Sequence, residues 1–129
     1  MGIRILFLYP NTFGMNMLPP AIALFSAILK QNGHKVSLFD ATYYSIDYGV
    51  NSDGTKAERL NVVPFETESL GIKIRNTDWR NDLDSLVKRF SPDLIALSTT
   101  EDMWNLGLKM LGHIKEYISK NNTPVLAGG

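Results

Sequence analysis

Residues 3–9 read I-R-I-L-F-L-Y, and Pro10 ends the run. Only Arg4 is charged, and it lies next to the chain terminus. A strand with one wet face alternates apolar and polar residues, whereas a strand covered on both faces is apolar nearly throughout. Ile3–Tyr9 is of the second kind. Such strands occur in sheets with helices on both sides, so this stretch points to an α/β fold.

The chain around it keeps that rhythm. Pro10-Asn11-Thr12-Phe13-Gly14 breaks the strand as a loop. Leu18–Asn32 is expected to be a helix, with Pro19 and Pro20 in its first turn and Gly33 just beyond its end. Ala21, Leu24, Phe25, Ile28 and Leu29 recur at helical spacing and form one apolar face. Lys35–Asp40 reads as a second strand, Thr77–Phe90 as a second helix capped by Thr77 or Asp78, and Asp93–Ser98 as a third strand. Thr99–Lys120 reads as a third helix, whose start at Thr99 and Asp102 resembles a capping box. Thr123–Ala127 is the fourth strand, followed by Gly128 and Gly129.

Residues 41–76 are an insert between the second strand and the second helix. Asn61–Phe65 and Gly71–Arg75 are candidate strands of a hairpin within it. A loop of this length without structure is unusual in a compact domain, so local structure or a function is expected there. Its acidic residues Asp53, Glu58, Glu66 and Glu68 read as solvated charges.

Strands that alternate with helices imply right-handed crossovers and a mostly parallel sheet. The expected fold is a flavodoxin-like or Rossmann-like three-layer sandwich, with strand order 2-1-3-4, filling residues 1–129 as one domain. Open sheets of this kind bind ligands outside the carboxyl ends of their strands, where the strand order reverses. Three segments converge there: Pro10–Gly14, Ser98-Thr99-Thr100 and Gly128-Gly129. The three hydroxyls can bond a phosphate, an amide or a ring nitrogen, or simply cap a helix. The glycine pair lets a flat ligand lie on bare backbone, or simply ends a strand.

Composition removes several alternatives. There is no Cys, which excludes a disulfide framework, a thiolate metal site or an iron–sulfur cluster within these 129 residues, and fits a reducing cytoplasm. Thirteen basic residues balance thirteen acidic ones, so no nucleic-acid footprint is present. No apolar run is long enough to span a membrane. The first loop has no G-x-G-x-x-G and no P-loop lysine. His34 and His113 are the only histidines, and neither pairs with a second ligand, which argues against a metal site.

The strand ending Tyr9-Pro10, the segment P-P-A-I-A-L-F-S-A-I-L-K-Q-N-G-H-K-V, then S-P-D-L-I-A-L-S-T-T and the closing T-P-V-L-A-G-G resemble one family. It is the amino-terminal cobalamin-binding domain that precedes the catalytic core of radical S-adenosylmethionine enzymes. The family's wider fold carries D-x-H-x-x-G, then S-x-L, then G-G. Here Tyr9–Gly14 takes the first place and agrees only in Gly14, Ser98-Thr99-Thr100 takes the second, and Gly128-Gly129 the third.

The resemblance implies a cobalamin site formed by Pro10, Asn11, Thr12, Gly14, Ser98, Thr99, Thr100, Gly128 and Gly129, with no catalytic residue in this chain. Asn11 stands in the place of the histidine lower ligand, which implies a base-off corrin. The family's domain also continues past the glycine pair, so the resemblance implies a piece cut after strand four. S-adenosylmethionine and an iron–sulfur cluster would then belong to a core outside these residues, in a parent enzyme such as a methyltransferase. An open fourth strand invites pairing with a second copy. Two other readings stand beside this one: the amino-terminal domain of a nucleotide-sugar glycosyltransferase, and a flavodoxin-like regulatory domain.

Overall fold

The computed structural model describes residues 1–12, 18–46 and 68–129. Four strands form one all-parallel sheet: β1 (Arg4–Tyr9), β2 (Lys35–Asp40), β3 (Leu94–Ser98) and β4 (Val125–Gly128), in the order β2-β1-β3-β4. The helices are α1 (Pro20–Gln31), α2 (Trp79–Phe90), α3 (Trp104–His113) and α4 (Lys115–Asn121). The expected architecture and strand order are both observed.

β1 is central and its residues Ile5–Tyr9 are buried, as its apolar run requires. Alternate residues feed two cores. Leu6 and Leu8 pack with Ile95, Leu97, Leu83, Val87, Leu106 and Met110 under α2 and α3. Ile5, Phe7 and Tyr9 point the other way and meet Ile22 of α1.

Local chemistry sets the helix ends. Pro20 is the first residue of α1, and Gly33, at φ +83°, turns the chain out of it. Asp78 caps α2 by accepting from the Arg80 N–H at 2.9 Å, and Ser91 ends that helix in the left-handed conformation.

Four expectations need correction. The helix expected over Thr99–Lys120 is a 3₁₀ turn (Glu101–Met103) followed by α3 and α4, broken at Ile114. Gly107 and Gly112 weaken helix propensity in this stretch, and Ile114 turns into the core. The capping box does not form: Thr100, not Thr99, stands at the N-cap without a side-chain cap, and the Thr99 hydroxyl donates to the Thr100 carbonyl at 3.0 Å. Only one candidate strand of the hairpin falls among the described residues. Asn61–Phe65 lies outside the described residues, and Gly71–Arg75 follows a 3₁₀ turn (Glu68–Leu70) and contributes only a single parallel bridge from Arg75 to Tyr44.

The fourth correction concerns α1. Of the expected apolar face only Leu29 packs toward the sheet, joined by Ile22. Leu24, Phe25 and Ile28 remain 59%, 53% and 45% exposed. At about 100° per residue, the stripe of Ala21, Leu24, Phe25 and Ile28 is rotated roughly a quarter turn from the sheet.

Candidate functional site

Right-handed crossovers place α1 on one face of the sheet and α2 and α3 on the other, because the chain reverses direction at β1. The reversal lies between β1 and β3. On the α1 face a groove of about 720 Å³ runs beside that helix, over β3 and β4. Its floor is Ile5, Phe7 and Tyr9 of β1, Leu94, Ala96 and Ser98 of β3, and Leu126 and Gly128 of β4. Its wall is Pro19, Ile22, Phe25, Ile28 and Leu29. No charged residue lines it.

The groove is graded along the strands. Leu94 lies at the amino-terminal end, Ala96 and Leu126 sit side by side in the middle, and Ser98 and Gly128, side by side at the carboxyl end, leave space where Thr99 and Thr100 add hydroxyls. Its size and its apolar body with few polar groups at one end suit a small organic ligand.

The two glycines have different roles. Gly129 lies so close to the Thr99 carbonyl that a Cβ would overlap it at 1.8 Å. The Thr99 N–H also donates to the Gly128 carbonyl at 2.9 Å, which extends the β3–β4 ladder past the strand end. A Cβ on Gly128, in contrast, would meet nothing within 4 Å. Its missing side chain therefore leaves room in the groove itself.

Ser98, Thr99, Thr100, Gly128 and Gly129 thus share one groove. Pro10, Asn11 and Thr12 do not line it. All three are buried beneath the strand ends. Asn11 is fully buried, and its Nδ2 donates to the Thr42 hydroxyl at 3.0 Å. Thr42 in turn donates from its N–H and its hydroxyl to Asp40 Oδ1, at 2.9 and 2.5 Å. This chain ties the ends of β1 and β2 together. The Thr12 hydroxyl points toward Met103 Sδ at 3.7 Å. Gly14 lies outside the described residues.

Neither histidine reaches the groove. His34 Nδ1 accepts from the Ile3 N–H at 3.1 Å, at the amino-terminal end of the sheet. His113 lies between α2 and α3, 3.1 Å from Asp84 and edge-on to Trp79. Among the described residues no group of three or more metal-binding side chains comes together. No helix among them is long and apolar enough to cross a membrane.

Sequence reasoning did not single out the wall of the groove. In the sequence Pro19 reads only as a helix start, and Phe25 and Ile28 only as part of one apolar face. The signal is the width of the stripe: eight apolar side chains from Ala21 to Leu29 are more than one sheet-facing row needs. A second network lies at the outer edge of β2. The Tyr44 hydroxyl and the Thr77 hydroxyl both donate to Asp82 Oδ2 at 2.7 Å, and Arg75 covers the Tyr44 ring at 5.4 Å. Burial, and then the bond to Asp82, push Tyr44 up to about 12. Thr77 and Tyr44 hold Asp82 below the usual carboxylate range. This network clamps the two ends of the insert to α2.

No family model matches the chain, and no curated protein matches it by sequence. Among solved structures it is similar to the radical S-adenosylmethionine methyltransferase TsrM from Kitasatospora setae, solved with its tryptophan substrate and a SAM analogue. The TM-score is 0.62 at 15% identity, over 99% of this chain and 19% of that one. The chain therefore spans about a fifth of that enzyme's length. The likeness is one of fold.

Proposed function

We propose that the groove beside α1 holds the nucleotide tail of a cobalamin, and that the chain serves as the cofactor-binding domain of a radical S-adenosylmethionine enzyme. The observation that carries this reading is the convergence of Ser98, Thr99, Thr100 and Gly128 on one uncharged groove at the strand ends. The likeness to a radical S-adenosylmethionine methyltransferase supports the general kind.

The residues fit such a group. A flat heteroaromatic base needs apolar walls and a floor without side chains, which Phe25, Ile22, Ala96 and Gly128 offer. Ser98, Thr99 and Thr100 would bond the polar edge of the tail at the mouth. A corrin held without a strong lower ligand supplies methyl transfer or electron exchange. Asn11 is committed to Thr42 and sealed from solvent, so it is not poised to ligate a metal above the strand ends. On this reading the corrin is base-off and Asn11 is a structural clamp. S-adenosylmethionine and the iron–sulfur cluster belong, on this reading, to a core outside these residues, and a cysteine-free domain suits the reducing cytoplasm. The lack of any cationic side chain around the groove disfavours the diphosphate of a nucleotide sugar.

Titration with hydroxocobalamin, followed by absorbance, tests the reading. Saturable binding is expected. Gly128→Leu should abolish it while the far-ultraviolet circular dichroism and Tm stay unchanged, because the new side chain enters open space. Absence of binding, or equal binding by Gly128→Leu, overturns it.

A further inference from the structure

Asn32-Gly33 is the one Asn-Gly pair in the sequence, and both residues are exposed where α1 ends. Such a pair can deamidate without an enzyme. The glycine nitrogen, once it has lost its proton, attacks the asparagine Cγ. A C–N bond forms and closes a five-membered succinimide, the bond from Cγ to Nδ2 breaks, and ammonia leaves. Water then opens the ring at either carbonyl, giving aspartate or isoaspartate. Glycine favours the step because it has no Cβ to shield the attacking nitrogen.

The turn between α1 and β2 opposes each part of that step. The Gly33 N–H donates to the Lys30 carbonyl at 3.1 Å, which holds the proton that must leave. The Asn32 Nδ2 donates to the Ile28 carbonyl at 2.8 Å, which turns the carbon under attack back along the helix. At φ −92° and ψ 17°, the Gly33 nitrogen nearly eclipses the Asn32 nitrogen and is rotated away from Cβ, which carries Cγ. The chain is fixed just beyond as well. The His34 N–H donates to the Leu29 carbonyl at 3.0 Å and the Lys35 N–H to the Ile3 carbonyl at 2.9 Å. The Gly33 carbonyl packs so closely on Gly2 that a Cβ there would overlap it.

We propose that Asn32 is a deamidation site held shut by folding, and that its reaction reports opening of the turn between α1 and β2. The turn must open before the ring can close, so the rate follows the open fraction. The product favours the open form. Aspartate at this place lacks the donor to Ile28 and sets a carboxylate at the negative end of the helix dipole. Isoaspartate adds a backbone atom between α1 and β2. The inference does not rest on the ligand reading, because the turn lies at the amino-terminal end of β2 and the reaction needs only water.

Peptide mass mapping of the whole chain, incubated folded and in denaturing guanidinium chloride at one pH and temperature, is the test. In the denatured chain Asn32 is expected to react before any other asparagine. In the folded chain Asn32 should react at least about tenfold more slowly, because two hydrogen bonds must open first. Asn32→Asp should lower the urea midpoint, since the cap loses its donor. Equal rates at Asn32 in the two states overturn the inference, and so does a different asparagine reacting first in the denatured chain. An unchanged midpoint for Asn32→Asp also overturns it, because the bond to Ile28 would then hold nothing.

Discussion

The two faces of the sheet share the same strands and differ in what covers them. Under α2 and α3, Leu6, Leu8, Ile95 and Leu97 meet Leu83, Val87, Leu106 and Met110, and all eight are buried. Under α1, Ile5, Phe7, Tyr9 and Ile22 are the buried apolar residues among those described, with Leu29, Leu94, Ala96, Val36 and Leu38 partly so. The same contrast separates β1, buried from Ile5 to Tyr9, from β4, in which every residue is exposed. The closed face supplies stability. The open face supplies surface still able to bind something.

Core truncation breaks the symmetry most strongly. Leu83 is fully buried in the closed core, and Leu83→Ala should cost about 2–5 kcal/mol in urea unfolding. Phe25→Ala, on the open face where Phe25 is 53% exposed, should cost no more than about 0.5 kcal/mol. Equal losses would mean that the groove is already packed in the chain, and would remove the basis of the ligand reading.

A smaller effect tests the edge of the closed face. Tyr44→Phe deletes the donor to Asp82 and leaves Thr77 as its remaining hydroxyl donor. The expected loss at neutral pH is about 1–2 kcal/mol. The folded state holds the Tyr44 proton more tightly than the unfolded chain, with values of about 12 against about 10. The associated stability is complete below about pH 10 and is lost as pH rises toward 12. Tyr9 and Tyr117 are raised as well, so the wild-type decline is composite. The difference between wild type and Tyr44→Phe isolates the Tyr44 part, and should shrink across that interval.

The closed face was the legible one. Trp79, Leu83 and Val87, and Met103, Leu106, Met110 and Ile114, repeat at helical spacing beside charged residues, so amphipathicity alone orients them. The parallel sheet is legible in the alternation of strands with helices, and crossover handedness then fixes which face each helix covers. Ser98–Thr100 and Gly128-Gly129 were legible as strand ends. The orientation of α1 is not legible, because eight of its nine residues from Ala21 to Leu29 are apolar and periodicity gives no single direction among them. The clamp of Asn11 on Thr42 was hidden for another reason. It joins residues 31 apart that meet only through the register of β1 against β2, which places Tyr9 beside Asp40. Tyr44 and Asp82 are 38 apart, and no local pattern pairs them.

The smallest expected effect belongs to neither face. Arg4 and Asp93 join β1 to β3 at the amino-terminal end of the sheet, opposite the mouth of the groove. The guanidinium donates to both carboxylate oxygens at 2.8 and 3.0 Å, the Arg4 N–H donates to Asp93 at 2.8 Å, and the Asp93 N–H donates to the Arg4 carbonyl at 2.8 Å. The guanidinium first, and then that N–H, hold the Asp93 carboxyl at about 2. A carboxyl depressed by folding stabilises above its unfolded value of about 4, and that contribution fades as pH falls toward 2. Both side chains are about 40% exposed, at 43% and 40%, so solvent screens most of the attraction. Asp93→Asn should therefore lower the urea midpoint only slightly at about pH 6, and the two proteins should converge by about pH 2. A large loss at neutral pH would mean that this pair sets the β1–β3 register. The groove floor, built on that register from Ile5 paired with Leu94 onward, would then depend on it as much as on the closed core.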